Sequence, residues 1–305
     1  VSMIGPAANR WIFAGEDRYL QNQWPAAIRR LLGAQSLSLI AGEDHRTRRR
    51  LLGPHFSRSG LLSQVGAIAD VTTRHLDAWN AIPGESRAVP QFKAMAFEIA
   101  ARYLFGDPKT LGLDLATLSN DFDTWVAGMF SPLAVRVPGS KFSRAMAARK
   151  RLFAAIGEAV AEAARADLSG DDVMRTLLRV RDDNDEPLPH EVIVDELQLL
   201  MFAGHDTTVT SLTNLMYHLS AYPDAYTKAV AEQDALAGEV MDAATVKRMT
   251  YLEQVINESM RVIPPIGGAF RRMTQDAEYG GFTIPKGWSV SVSPRGSHFD
   301  DSVWT

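Results

Sequence analysis

Leu199-Leu200-Met201-Phe202-Ala203-Gly204-His205-Asp206-Thr207-Thr208-Val209-Thr210-Ser211-Leu212 is the stretch on which the reading of the fold turns. It lies inside the longest helix-compatible run of the chain, bounded by Pro189 and Pro223. Apolar residues recur before it (Val192, Ile193, Val194, Leu197) and after it (Leu215, Met216, Leu219). Such a run makes a helix of about 50 Å at 1.5 Å per residue, where the average globular helix has about 11–12 residues. In its middle sit a glycine, an acid and three threonines. Glycine costs ~1 kcal/mol in a helix interior, and β-branched threonine is a mediocre helix former. A local rule broken in mid-core is where a functional site is expected.

Asp206 and Thr207 are neighbours, so they do not share a helix face and cannot chelate. A hydroxyl and a carboxylate one step apart around the helix suit a relay. Gly204 removes a side chain and lets something flat or small approach the backbone. The competing reading is a solvated polar patch. Met201, Phe202 and Leu212 argue instead for burial, and a buried Asp needs a partner.

The 305 residues are 46% hydrophobic, with a net charge of −4. The size allows a large core, and no basic field points to nucleic acid. No run of 18 apolar residues marks a membrane span, and no signal peptide is visible. The expected location is cytoplasmic. Cysteine is absent, which excludes disulfides, thiolate metal ligands and cysteine nucleophiles within these residues. Val1 at one end and Asp300 to Thr305 at the other read as cuts through a longer protein.

Periodicity predicts a short helix in the first 15 residues and others over Trp24–Leu32, Leu61–Trp79, Phe92–Phe105, Leu111–Phe130, Ser143–Ala166, Asp171–Val180, Ala225–Ala235, Ala243–Met249 and Leu252–Val262. The apolar linker Pro132–Pro138 reads as a loop that covers something, and Asp182–Pro187 as an acidic turn. Phe270–Met273 and Gly281–Ser293 alternate as strands do. Ile284-Pro285-Lys286-Gly287 is the expected turn, with Pro second and Gly fourth as in type I. The result is a mainly α chain with a small β portion, expected as one unit over residues 1–305.

Two further stretches carry charge at helical spacing. Glu258 and Arg261 stand i, i+3, a common surface pair worth a few tenths of a kcal/mol, but Pro264-Pro265-Ile266-Gly267-Gly268-Ala269-Phe270-Arg271 follows at once. His45 and Arg49 stand i, i+4 within Gly42–Phe56, where Arg46, Arg48 and Arg50 add charge. This segment is either an anion-binding helix or a solvated basic face.

Taken in order, these stretches resemble the cytochrome P-450 family of haem-thiolate monooxygenases. Ala203–Thr208 looks like its oxygen-activation motif, and Glu258-Ser259-Met260-Arg261 like its Glu-x-x-Arg. Phe270–Trp288 looks like the β region that follows, and His45-x-x-x-Arg49 like its early propionate-binding helix. The Gly267–Arg271 segment resembles the branch of retinoid-type and sterol-type hydroxylases.

The resemblance implies a cytochrome P-450-like fold, truncated at both ends, around haem b. Ala203 and Gly204 would pass over the ring. His45, Arg49 and Arg271 would pair with the propionates. Asp206 and Thr207 would deliver protons to bound dioxygen. Glu258 and Arg261 would form a buried structural ion pair. Ala203, Ile263, Ile266, Ala269, Trp24 and Leu133 are the candidates to line a pocket for an apolar small molecule. A ferredoxin or flavoprotein reductase would supply two electrons, docking on Arg46, Arg48 and Arg50. The departure is the absent cysteine: the family's thiolate favours O–O cleavage, and this chain has none.

Two rival readings remain open. One is an inactive fragment, or a helical protein that binds haem or an apolar ligand. The other is a His-Asp metal phosphohydrolase that uses His205 and Asp206 with His190, His218 and Asp195.

Overall fold

The computed structural model describes residues 1–166, 169–181 and 185–304. The chain divides into two compact units: Pro25–Asp206, and Val1–Trp24 with Thr207–Thr305. The N-terminal part holds β1 (Ser2–Met3), α1 (Pro6–Ala14) and β2 (Leu20–Asn22). There follow α2 (Ala26–Leu31), α3 (Gly42–Leu52), α4 (Arg58–Leu62), α5 (Val65–Asn80) and α6 (Ala88–Phe105). Next come α7 (Leu115–Met129), α8 (Lys141–Arg165), α9 (Val173–Arg179) and the long α10 (His190–Ala221). The chain closes with α11 (Pro223–Asp234), α12 (Ala243–Arg248), α13 (Thr250–Val262), β3 (Phe270–Met273), β4 (Ala277–Tyr279), β5 (Phe282–Ile284), β6 (Ser289–Val292) and α14 (Pro294–His298). The fold is mainly α with a small β portion.

Local chemistry sets the boundaries. Side chains of Asp114, Ser140, Asp172 and Asp242 accept hydrogen bonds from free N–H groups at the starts of α7, α8, α9 and α12. Gly106, at φ +75°, ends α6. Pro223 occupies the first turn of α11, where its missing N–H costs nothing, and α10 stops just before it. Asp182, Asp183 and Asn184 of the expected acidic turn lie outside the described residues, and Arg181 pairs with Pro187 across it.

In the helical unit, Phe97, Phe105, Phe122, Trp125, Phe142, Met174 and Leu197 are fully buried. A Cβ on Gly128 would stand 2.1 Å from that of Ala145, so glycine lets α7 close on α8. Across α5 and α6, Glu98 accepts hydrogen bonds from Arg74 at 2.7 Å and Arg102 at 2.9 Å, with His75 at 3.0 Å. Burial raises the Glu98 carboxyl, but these hydrogen bonds outweigh it and hold it at about 2 against an ordinary 4.5. Its contribution to stability is therefore complete above 4.5 and lost as pH falls towards 2. Thermal unfolding across that range is expected to show a destabilisation that Glu98→Gln largely removes.

The other unit carries a four-stranded sheet in the order β1-β6-β3-β2, with β1 parallel to β6 and the other pairs antiparallel. β4 and β5 form a separate hairpin. Met3, Ile12, Leu20, Met273, Ile284, Val290 and Val292 make the local core.

The expected type I turn is displaced by one residue. Pro285 O accepts from Trp288 N, and Gly287, third in that turn, has φ +86°, as type II requires. In the apolar linker Leu133, Val135 and Val137 are exposed, and the Ala134 carbonyl accepts a hydrogen bond from Arg30. Among the described residues, no helix is long and apolar enough to cross a membrane.

Candidate functional site

The middle of α10 changes face within four residues. Met201 and His205 are buried, while Ala203 and Gly204 between them are exposed. A Cβ on Gly204 would meet only the Cβ of Ala100, at 4.0 Å. Packing within the chain therefore does not demand glycine here. What glycine provides is a step of helix surface without a side chain, open to a flat group.

The next turn is polar in a dry setting. His205 is 1% exposed, and its ring lies edge-on to Phe97 and Phe122 at centroid distances of 5.9 and 5.0 Å. Its Nδ1 stands 2.9 Å from Asp206 Oδ1, and its Nε2 stands 3.2 Å from the carbonyl of Lys93. Asp206 keeps 30% of its side chain exposed, so one carboxylate joins a buried imidazole to solvent. Thr207 follows in the chain and is half-buried.

On α3, Glu43 and Asp44 in the first turn and Arg49 and Arg50 in the last complement the helix dipole. His45 and Arg49 share a face one turn apart. Neither side chain makes a hydrogen bond or ion pair among the described residues. Arg48 points elsewhere: it donates to Glu196 at 2.9 Å and to the Gln35 carbonyl. Glu196 has no exposed side-chain surface, and Arg48 keeps 14%. The expectation that Arg48 serves a docking face is overturned, because the side chain is committed to a buried acid. Arg46 pairs with Glu43 at 3.0 Å on the surface, and Arg50 is exposed.

The buried acids of α10 were not foreseen as an anchor. Asp195 accepts from Gln35 N at 2.8 Å, and Glu196 from Leu37 N at 3.2 Å. Burial pushes both carboxyls up, against the hydrogen bonds they accept. A Cβ on Gly33 would collide with Asp195 at 2.0 Å, so glycine lets this loop reach the helix.

In the other unit, Arg271 on β3 reaches Glu16 at 3.3 Å and Asn22 at 3.4 Å. Its Nε is buried with no hydrogen-bond partner. A buried unpaired donor is costly, and an acceptor placed there would satisfy it. Glu258 and Arg261 form a bidentate pair at 2.6 and 2.7 Å. Glu258 is nevertheless 59% exposed, so the expected buried pair is a surface one. Its geometry still braces α13 to α14: Arg261 donates to the His298 carbonyl at 2.7 Å and lies near Phe299 and Trp304. Hydrogen bonding to Arg261 lowers the Glu258 carboxyl.

Within Pro25–Asp206, the exposed Ala203–Gly204 step suits a flat apolar group and the His45–Arg49 face suits a carboxylate; in the other unit, the Arg271 Nε suits an acceptor. The residues expected for a His-Asp metal phosphohydrolase are engaged elsewhere. His190 is held by the Gly157 carbonyl and His218 by Ser259. No three His, Cys, Asp or Glu side chains converge among the described residues.

The family model for cytochrome P-450 matches residues 11–305. A Synechocystis sp. protein named cytochrome P-450 120 is 33% identical over 308 residues, which are 100% of this chain and 68% of that protein. Taxane 13-alpha-hydroxylase of Taxus cuspidata is 29% identical over 99% of this chain and 65% of its own length. Cytochrome P-450 26C1 of Mus musculus is 32% identical over 100% of this chain and 62% of its own. Among solved structures, a retinoic acid-bound cyanobacterial CYP120A1 superposes with a TM-score of 0.92 at 32% identity, over 99% of this chain and 68% of that one.

Proposed function

This chain belongs to the cytochrome P-450 family, and from that premise we propose that it handles oxygen and protons in the hydroxylation of an apolar small molecule. The observation that carries this reading is the exposed Ala203–Gly204 step, followed after His205 by Asp206 and Thr207. Haem b, when bound, supplies the iron at which dioxygen is activated. The chain's own residues would hold the ring's face and edges and move protons; a cysteine ligand to the iron is not among these 305 residues. Ala203 and Gly204 would lie against the ring. His45 and Arg49, whose side chains have no partner among the described residues, would donate to a propionate, and Arg271, with its buried unpaired Nε, would hold an acceptor of the same kind. Asp206 moves a proton between solvent and the oxygen site, and Thr207 holds the hydrogen bond that directs it. Glu258 and Arg261 hold α13 and α14 together.

The substrate is apolar and of the retinoid or taxane kind, in keeping with the names of the relatives. The two electrons come from a ferredoxin or flavoprotein reductase. The test is turnover of the native protein bearing this sequence, with retinoic acid, a reductase system and ¹⁸O₂. One labelled oxygen atom per product molecule is expected. Product without label, or none with any retinoid or taxane offered, would overturn the assignment.

One observation favours a second reading, a haem or apolar-ligand binder: these 305 residues hold no cysteine. A reduced, carbon monoxide-treated spectrum separates the two, because only thiolate ligation gives the family's displaced Soret band.

A further inference from the structure

Hydrogen-bond valence fixes the number of protons held by His205 and Asp206. The Lys93 carbonyl can only accept, so Nε2, at 3.2 Å, must be the donor. In a neutral imidazole, Nδ1 is then a bare acceptor. It would face Asp206 Oδ1 at 2.9 Å, and an ionised carboxylate is also acceptor-only. Two lone pairs at that distance, inside a shell of Phe97 and Phe122, repel rather than bind. We infer that His205 and Asp206 share one proton on the line between Nδ1 and Oδ1, making the pair a preloaded proton store for the oxygen site.

The charged side chains of the two helices that pack on the ring, α6 and α7, are engaged with partners of their own. On α6, Glu98 is engaged by Arg74, His75 and Arg102, and Lys93 Nζ by Asp123 at 2.7 Å. On α7, Asp121 is engaged by Arg151, and Asp123 by that same Lys93. Asp206 is thus the counter-charge at the buried ring. Its exposed edge gives the store a route to solvent. The proton leaves through the carboxylate on the Thr207 side, and water at the exposed edge replaces it. His205 is accordingly a positioning residue that keeps Asp206 charged with a proton between turnovers.

This inference deepens the proposed reading of Asp206 and rests on it for its use, though not for its existence. The test is nuclear magnetic resonance of the whole protein in its diamagnetic ferrous carbonyl form, labelled with [¹⁵N]histidine and [¹³C]aspartate. At pH 7 we expect either both His205 nitrogens protonated, or one protonated with a neutral Asp206 carboxyl. In Asp206→Asn the amide donates to Nδ1, and His205 is expected to shift to the neutral Nε2–H tautomer. A wild-type His205 with a single N–H beside an ionised Asp206 overturns the inference, and the wild-type spectrum decides it alone. If the shared proton is seen but Asp206→Asn turns over normally, the store stands and the catalytic reading of Asp206 fails.

Discussion

Asp206→Asn is expected to lower hydroxylation by about a hundredfold, the low end of what a positioned general acid contributes, while haem content stays unchanged. The substitution keeps the shape of the side chain. Its amide can still meet His205 Nδ1, now as donor to an acceptor, so the turn around Phe97 and Phe122 has no reason to repack. What it loses is the ability to take up and release a proton at the exposed edge. Oxygen would still be bound and electrons still consumed, but fewer would end in product. The measurement is product formed per electron consumed, with the absorption spectrum as the control for haem loading. Wild-type coupling in a fully loaded variant would remove Asp206 from the reaction.

The second large effect is on stability. Arg48→Ala strips Glu196 of its charged partner while leaving it with no solvent-exposed surface. Breaking one side of a buried pair commonly costs ~3–5 kcal/mol. The pH dependence identifies the cause. Burial already raises the Glu196 carboxyl despite the hydrogen bonds from Arg48 and Leu37. Without Arg48 the acid takes up a proton more readily in the folded state than in the unfolded one. The folded state then binds more protons over the range above the ordinary carboxylate value, so its stability falls as pH rises. Urea unfolding should show a larger deficit at pH 8 than at pH 5, and adding Glu196→Gln to Arg48→Ala should recover part of the loss. Equal deficits at the two pH values would mean that the damage is lost packing rather than a stranded charge.

Much of this was legible from residue types and spacing. Pro189 and Pro223 bracketed α10, because proline acts locally and its effect does not depend on tertiary context. Gly106 was legible for the same reason, and the strand at Phe270 from the alternation of its residues. The candidate residues His45, Arg49, Gly204 and Asp206 stood out as chemistry at odds with its neighbours. The contact between His205 and Asp206 did not, because side chains one position apart diverge around a helix. Here the imidazole and the carboxylate are long enough to meet across that divergence. Nor could spacing say how deeply Glu258 and Arg261 sit, since burial depends on what packs against that face of α13. Arg48 illustrates the same limit. Within a run of like charges, periodicity identifies a face, but only the position of Glu196 on a helix far away in sequence shows that one of those arginines is internal.

The link from α10 to the loop after α2 has a consequence for how the molecule breathes. The amides of Gln35 and Leu37 are held by carboxylates of the long helix rather than by a neighbouring strand or turn. Their hydrogen exchange is therefore governed by opening of the helix–loop contact and not by fraying of the loop itself. A surface segment that would ordinarily exchange in moments becomes a slow clock, and it reads the local integrity of the helix that carries Asp206.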